Sequence, residues 1–305
     1  MSAPTASDLP PGVAVAPEMP TLWPDVRLQT GIAGFVRRHP TVAVGGLLLL
    51  MMLMLAVFAP YLGTVDPTAL ATARRTRPPS VDNWFGTDML GRDIYSRVVY
   101  GARVSLTVGI SVATFASIVG LAIGLFSGFV RLADAILSRV MDGLMSIPPI
   151  LLAVALMALT RGSVSNVIIA ITIPEIPRVS RLVRGVVLSL REQPYVHAAV
   201  ASGTRTPMIM LRHILPNTLA PMTVQATYIC ASAMIVEAIL SFIGAGTPPI
   251  IPSWGNIMAE GRALWQVKPF IIFFPAAFLS VSVLAVNLLG DGLRDALDPR
   301  MAKGL

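Results

Sequence analysis

Lysine is nearly missing from this chain of 305 residues: Lys268 is followed by Pro269 and Lys303 by Gly304. A Walker A loop ends in Gly-Lys-Ser/Thr, where backbone amides and the lysine hold nucleotide phosphates. Neither lysine has that setting, so the chain is expected not to hydrolyse ATP by itself. The single cysteine, Cys230, excludes an internal disulfide, and the three histidines, His39, His197 and His213, are too scattered for a metal-ligand cluster. No Gly-x-Ser-x-Gly elbow occurs to expose a nucleophilic serine. Charge is also scarce, at 13% of residues against 54% hydrophobic, and the mean hydropathy is +0.73. A soluble surface cannot be built from that balance, so the sequence reads as an integral membrane protein. The lipid bilayer is the expected partner; nucleic acid is not.

What is present in abundance is long apolar runs. They lie at Thr41–Val65, Val104–Val130, Gly143–Thr160, Ile214–Val236 and Pro269–Gly290, each close to the ~20 residues that cross ~30 Å of hydrocarbon as a helix. Residues 1–40 carry seven prolines and read as a disordered leader. The run that follows is too long for a cleaved signal peptide and is taken as a retained anchor. Arg37-Arg38-His39 beside it puts the N-terminus in the cytoplasm by the positive-inside rule. Residues 66–103 are then external, 131–142 internal, Arg161 external, 178–212 internal, 237–268 external and 291–305 internal. Of the 23 Lys and Arg, 14 fall inside and nine outside. Six of those nine, Arg74, Arg75, Arg77, Arg92, Arg97 and Arg103, crowd into the first external segment, which suggests an ordered extramembrane element there.

Parity demands a sixth span, from about Ser163 to Leu190. Its uncharged part, Gly162–Pro174, has only 13 residues and leads into Glu175, Pro177, Arg178, Arg181 and Arg184. The three arginines share one helix face and read as a positive-inside flank rather than a voltage sensor. Pro174 and Pro177 predict a kink or break beside Glu175. Glu175, Glu237 and Ser241 are candidates for a translocation path, because acids inside a membrane are costly. Glu237 fits equally well as a boundary residue reaching water, and Glu175 as part of an exposed, non-helical stretch. The methionines read as adaptable packing.

The segment from Tyr195 to Asn217 reads as helix, turn, helix. Ala198, Ala199 and Ala201 favour helix, Gly203 can take the left-handed conformation that ends it, and Thr206-Pro207 suits an N-cap and first helical position. Pro216 is expected to stop or kink the second helix. Small residues at such a corner let another backbone come close, as a docking surface requires. The segment resembles the "EAA" loop of bacterial ABC-importer permeases. Ala198, Ala199 and Gly203 match that pattern, Leu215-Pro216 closes it, and His197 stands where the family has glutamate. The ending Arg212-His213-Ile214-Leu215-Pro216-Asn217 resembles the dipeptide/oligopeptide/nickel branch.

Three further blocks resemble the same branch. Gly86-Thr87-Asp88-Met89-Leu90-Gly91-Arg92-Asp93 is similar to the signature before the second span of C-type peptide-permease subunits. Glu237 to Gly246, with Pro252-Ser253-Trp254-Gly255-Asn256, is similar to the end of the fifth span and its external loop, and Asn287 to Arg300 to the family's C-terminal end. One departure is the fourth span, where the family usually has aromatic residues and this chain has Glu175-Ile176-Pro177-Arg178-Val179.

The resemblance covers roughly Thr41 to Arg300 and implies an all-α fold with six transmembrane helices, like a type I ABC-importer permease, whose cytoplasmic loop 191–217 seats on an ATPase. It also implies a bacterial inner-membrane location with both termini cytoplasmic, a second permease subunit, two ATPase subunits and an external substrate-binding protein. ATP and magnesium would then be bound by the ATPases, with no cofactor on this chain, and transport would proceed by alternating access. Peptides are the implied cargo, with nickel, glutathione or another small solute as alternatives. From the residues alone, a channel or secondary transporter using Glu175, Glu237 and the arginines stays open, and a membrane enzyme is remote.

Overall fold

The computed structural model describes residues 38–297; the leader through residue 37 and the tail from 298, Arg300 included, lie outside the described residues. Among the described residues the regular elements are helical, and the one bridge of sheet type joins Thr87 to Asp93. Helix α1 is Pro40–Val57, α2 Ile94–Phe129, α3 Arg131–Met145, α4 Pro149–Ala158, α5 Val164–Arg191, α6 Pro194–Ala201 and α7 Thr206–Ile209. A π turn, Met210–Ile214, leads into α8, Leu215–Phe242; α9 is Trp254–Gly261 and α10 Phe270–Leu297.

Four of the apolar runs became long helices, with shifted ends. α1 stops at Val57, eight residues before the run does. α2 starts at Ile94, ten residues before its apolar run, because Asp93 caps it by accepting from Ser96 N at 2.8 Å. The last residues of the expected external link are therefore the first turns of a 36-residue helix. The run Gly143–Thr160 is not one straight span. Gly143 belongs to α3, Pro148 takes an extended conformation ahead of Pro149, and α3 and α4 meet at 86°. Alone, the 10 residues of α4 reach only about 15 Å.

The sixth span is a single helix of 28 residues. Pro174 and Pro177 do not break it: helix continues through both, and Glu175 is helical and buried. The expected break and the exposed stretch at Glu175 are thus both corrected. Burial between α2 and its other neighbours holds the backbone in place where two amide donors are missing.

Contact register gives the direction of each helix. Gly120, Gly124 and Gly128 of α2 face Val179, Val183 and Val187 of α5, so these two helices run parallel. Ser105 meets Glu237 while Gly109 meets Met234 and Cys230, so α2 and α8 are antiparallel. Gly45 lies on Leu289 and Gly292 on Val42, so α1 and α10 are antiparallel. The end of α1 meets the start of α2 through Arg103, which donates to the carbonyls of Ala56 and Val57. For α2 and α5 to run the same way, the bent α3–α4 pair must carry the chain back across. Among the described residues four helices, or five with the bent α3–α4 pair counted as one, are long and apolar enough to cross a membrane; with α5 running parallel to α2 the bundle alternates in direction, with the α6–α7 corner at one end and both the 58–93 segment and α9 at the other.

Candidate functional site

The corner between α5 and α8 has the expected helix–turn–helix form. α6 ends at Ala201, and Gly203 follows at φ +75 with amide bonds from Gly203 and Thr204 back to Val200 and Ala199. A Cβ on Gly203 would meet nothing within 4 Å, so its role within the chain is conformational. Two details differ from expectation. Arg205 is the residue before α7, so Thr206 and Pro207 take its first and second positions, and the Thr206 side chain caps nothing. Pro216 does not stop the helix, which runs from Thr206 to Phe242 with the π turn Met210–Ile214 just before the proline. Tyr195 and His213 bring their rings to 6.3 Å across the corner. His197, Ala198, Pro207 and Pro216 are exposed, Ala199 and Leu215 half-buried, and Tyr195, Val200, Met208 and Leu211 leave 42–63% of their surface uncovered.

On the opposite side, the Gly86–Asp93 block folds around a buried charge cluster. Asp88 Oδ2 meets Arg92 Nε at 2.7 Å and Arg97 Nη1 at 2.5 Å, and its Oδ1 accepts from the amides of Leu90 and Arg92. Burial alone raises the Asp88 carboxyl, but Arg97 and Arg92 outweigh it and hold it below the usual carboxylate range. Glu260 of α9 closes the cluster, 2.5 Å from Arg92 Nη2 and 3.0 Å from Arg97 Nη2. Gly86 and Gly91 take φ +79 and +77, and a Cβ on Gly91 would overlap the Ala71 carbonyl. Asp93 also accepts from Asn83 Nδ2 at 2.8 Å. Glu260 is the member sequence reasoning missed; the surplus of arginines in one segment was the signal that an acid must answer them.

The three path candidates are not on a surface. Glu237 is fully buried, accepting from Ser241 Oγ at 2.8 Å and Ser105 Oγ at 3.2 Å, and Ser241 continues to Thr247, Ser253 and Asn256. Glu237 thus sits in an internal network joining α2, α8 and the loop before α9. Glu175 pairs with Arg178 at 3.1 Å. The remaining arginines of the ladder tie α5 to α3: Arg181 to Asp142 at 2.6 Å and Arg184 to Asp134 at 2.5 Å. Among the described residues no three His, Cys, Asp or Glu gather as a metal site.

Long apolar helices alternating in direction, with an uncovered helical corner at one end and an ordered segment at the other, define a multi-pass membrane protein. The chain belongs to the family of binding-protein-dependent transport system inner membrane components, whose model matches residues 120–303. Among its relatives is the "Probable peptide ABC transporter permease protein y4tQ" of Sinorhizobium fredii, 52% identical over 90% of this chain and 94% of that protein. Another is the "Dipeptide transport system permease protein DppC" of Alkalihalophilus pseudofirmus, 41% identical over 87% and 88%. Of solved structures, an inward-facing form of the MetNI methionine ABC transporter matches with a TM-score of 0.55 over 67% of this chain and 98% of that one, at 20% identity. The fold is therefore that of an ABC-importer permease.

Proposed function

We propose that the chain is one of two permease subunits of an ATP-driven peptide importer of the inner membrane, working with two ATPase subunits and an external substrate-binding protein. The observation that carries the reading is the α6–α7 corner. Its apolar side chains lie uncovered around a left-handed Gly203 with open space over it, on the side away from the external cluster. That is the shape of a segment that fits a groove in another subunit. The wider charge bias, 14 of 23 Lys and Arg on this side, supports placing the corner and both termini in the cytoplasm.

ATP and magnesium would then act entirely in the ATPases. Their closure pushes the corner, and α5 and α8, which it joins, tilt with it; nucleotide biases the two states only by binding one better than the other. The peptide names of the relatives support peptide cargo. The test is purification of the tagged chain from its host followed by reconstitution in liposomes. The expected result is copurifying ATPases and uptake of labelled peptide that needs both ATP and the binding protein. Peptide uptake by the chain alone, driven by an ion gradient, would refute it.

A further inference from the structure

Arg178, the first arginine of the α5 ladder, stands deeper than a positive-inside flank. Ile176 and Val179, on either side of it, both lie against Gly120 of α2, near the middle of the uncharged run Val104–Val130. Because α2 and α5 run parallel there, Arg178 shares that depth, well inside ~30 Å of hydrocarbon. Tyr228 is at the middle of α8, and its ring takes the Arg178 guanidinium at 5.7 Å. Arg178 keeps 39% of its side chain exposed and Tyr228 56% of its surface. Behind them the buried Glu175 holds Arg178 through Nη1 at 3.1 Å, and it is the one acid Arg178 meets among the described residues.

A charge uncovered at that depth is too costly to face hydrocarbon, so it faces protein or water. Helices that pair inside a membrane do so through small residues that let the backbones close up, as Gly120, Gly124 and Gly128 do against α5. Arg178 and Tyr228 are large and stand off the surface, which holds a neighbouring backbone away. That is how the wall of a water-filled path is built. One turn from Tyr228, on the same side of α8, Gln225 Nε2 is buried with no hydrogen-bond partner among the described residues. An exposed guanidinium, a phenol and an unused amide donor thus lie on neighbouring turns of α5 and α8, a set of donors suited to an anionic oxygen acceptor.

We infer that Arg178, Tyr228 and Gln225 form a subsite in the translocation path that takes the C-terminal carboxylate of a passing peptide. The inference deepens the function proposed above and rests on it. Every unmodified peptide ends in a carboxylate whatever its sequence, and an ion in a low-dielectric passage needs an answering charge. The guanidinium matches a carboxylate in shape as well as in sign.

The test uses the whole transporter in a Cys230→Ala background, reconstituted in liposomes with its ATPases and binding protein. Two thiol reagents that react only in water, one anionic and one cationic, are applied to both faces of the membrane. The Tyr228→Cys thiol should react, and about tenfold faster with the anionic reagent once both rates are scaled to a free thiol in solution. Adding Arg178→Gln should remove that preference. Leu47→Cys, as exposed on the uncharged α1, should stay unreactive. Uptake then reads the peptide: Arg178→Gln should slow a peptide with a free C-terminus about tenfold more than the same peptide with a C-terminal amide. Each rate is compared with the parent's, which cancels the binding protein's own preference. If Arg178→Gln does not assemble, the charge preference at Tyr228→Cys decides by itself. An unreactive Tyr228→Cys overturns the inference and assigns this face to contact with a second subunit. Equal reaction with both reagents, or equal slowing of both peptides, overturns it too, and each of these results leaves the proposed function intact. A parent that takes up neither peptide with ATP and binding protein present would bring down the functional reading and the inference together.

Discussion

A close approach between two transmembrane helices gives the sharpest test of the packing argument. At Gly124 of α2, an added Cβ would lie 2.6 Å from the Val183 Cβ and 2.8 Å from the Ser180 carbonyl oxygen of α5. Carbon atoms pack best at about 3.5–4.0 Å, so Gly124→Ala demands that two parallel helices part by about 1 Å or shear past each other. Overpacking of this kind costs about 1–3 kcal/mol. The opposing gain is helix propensity, about 0.5–1 kcal/mol for glycine to alanine. Gly185, in the interior of α5, isolates the two effects, because a Cβ there meets nothing within 4 Å. Gly185→Ala should therefore stabilise, and Gly124→Ala should be worse than it by the full contact cost, about 1–3 kcal/mol. Adding Val183→Gly, which removes the clashing Cβ, to Gly124→Ala should return part of that loss, a coupling a double-mutant cycle reads directly. Equilibrium unfolding in detergent, followed by circular dichroism, is the measurement. If both glycine substitutions changed stability equally, the claim that α2 and α5 meet backbone to backbone would be wrong.

Asp88→Asn tests the outer charge cluster. Because the folded carboxyl lies below its unfolded value of about 3.9, its stabilisation is complete above that pH and fades as pH falls through the folded value; hydrogen exchange of residues 66–93 should speed up only in acid, and the variant should lose that dependence. Glu237→Gln should nearly keep the parent's melting temperature, whereas Glu237→Leu, which strands the hydroxyls of Ser105 and Ser241, should lower stability by about 1–3 kcal/mol per stranded group. Gly203→Val should leave the protein in the membrane, since left-handed strain costs only about 1–3 kcal/mol, but should abolish ATPase copurification and uptake, with Ala201→Val as the control. In a Cys230→Ala background, a cysteine at Trp84 should react with an impermeant external reagent and one at His197 should not.

Hydropathy located the long helices because apolar length is a local property of the chain. It could not find the bend between α3 and α4, which depends on Pro148 taking an extended conformation inside an uncharged run, nor the start of α2, which an aspartate sets. Conversely, α5 looked doubtful for its charges and prolines, yet its charges are answered from α3 and from within itself. The corner at Gly203 was legible because a left-handed glycine leaves a composition signature. The surroundings of Glu237 were not legible for the opposite reason: the partners of a buried acid depend on which helices surround it, and here they include Ser105, 132 residues away.

The pairing of α1 with α10 has a consequence for how the protein is made. The helix packed most heavily against α1 is α10, the last of the described helices in chain order, and Gly45 of α1 and Gly292 of α10 let the two come close. During translation α1 must therefore sit in the bilayer with only α2 against it, through Arg103, stable largely by its own apolar length. The arrival of α10 then covers the open face of α1. A ribosome stalled before Phe270 would leave a nearly complete bundle with one unpaired wall, which a quality-control protease could recognise.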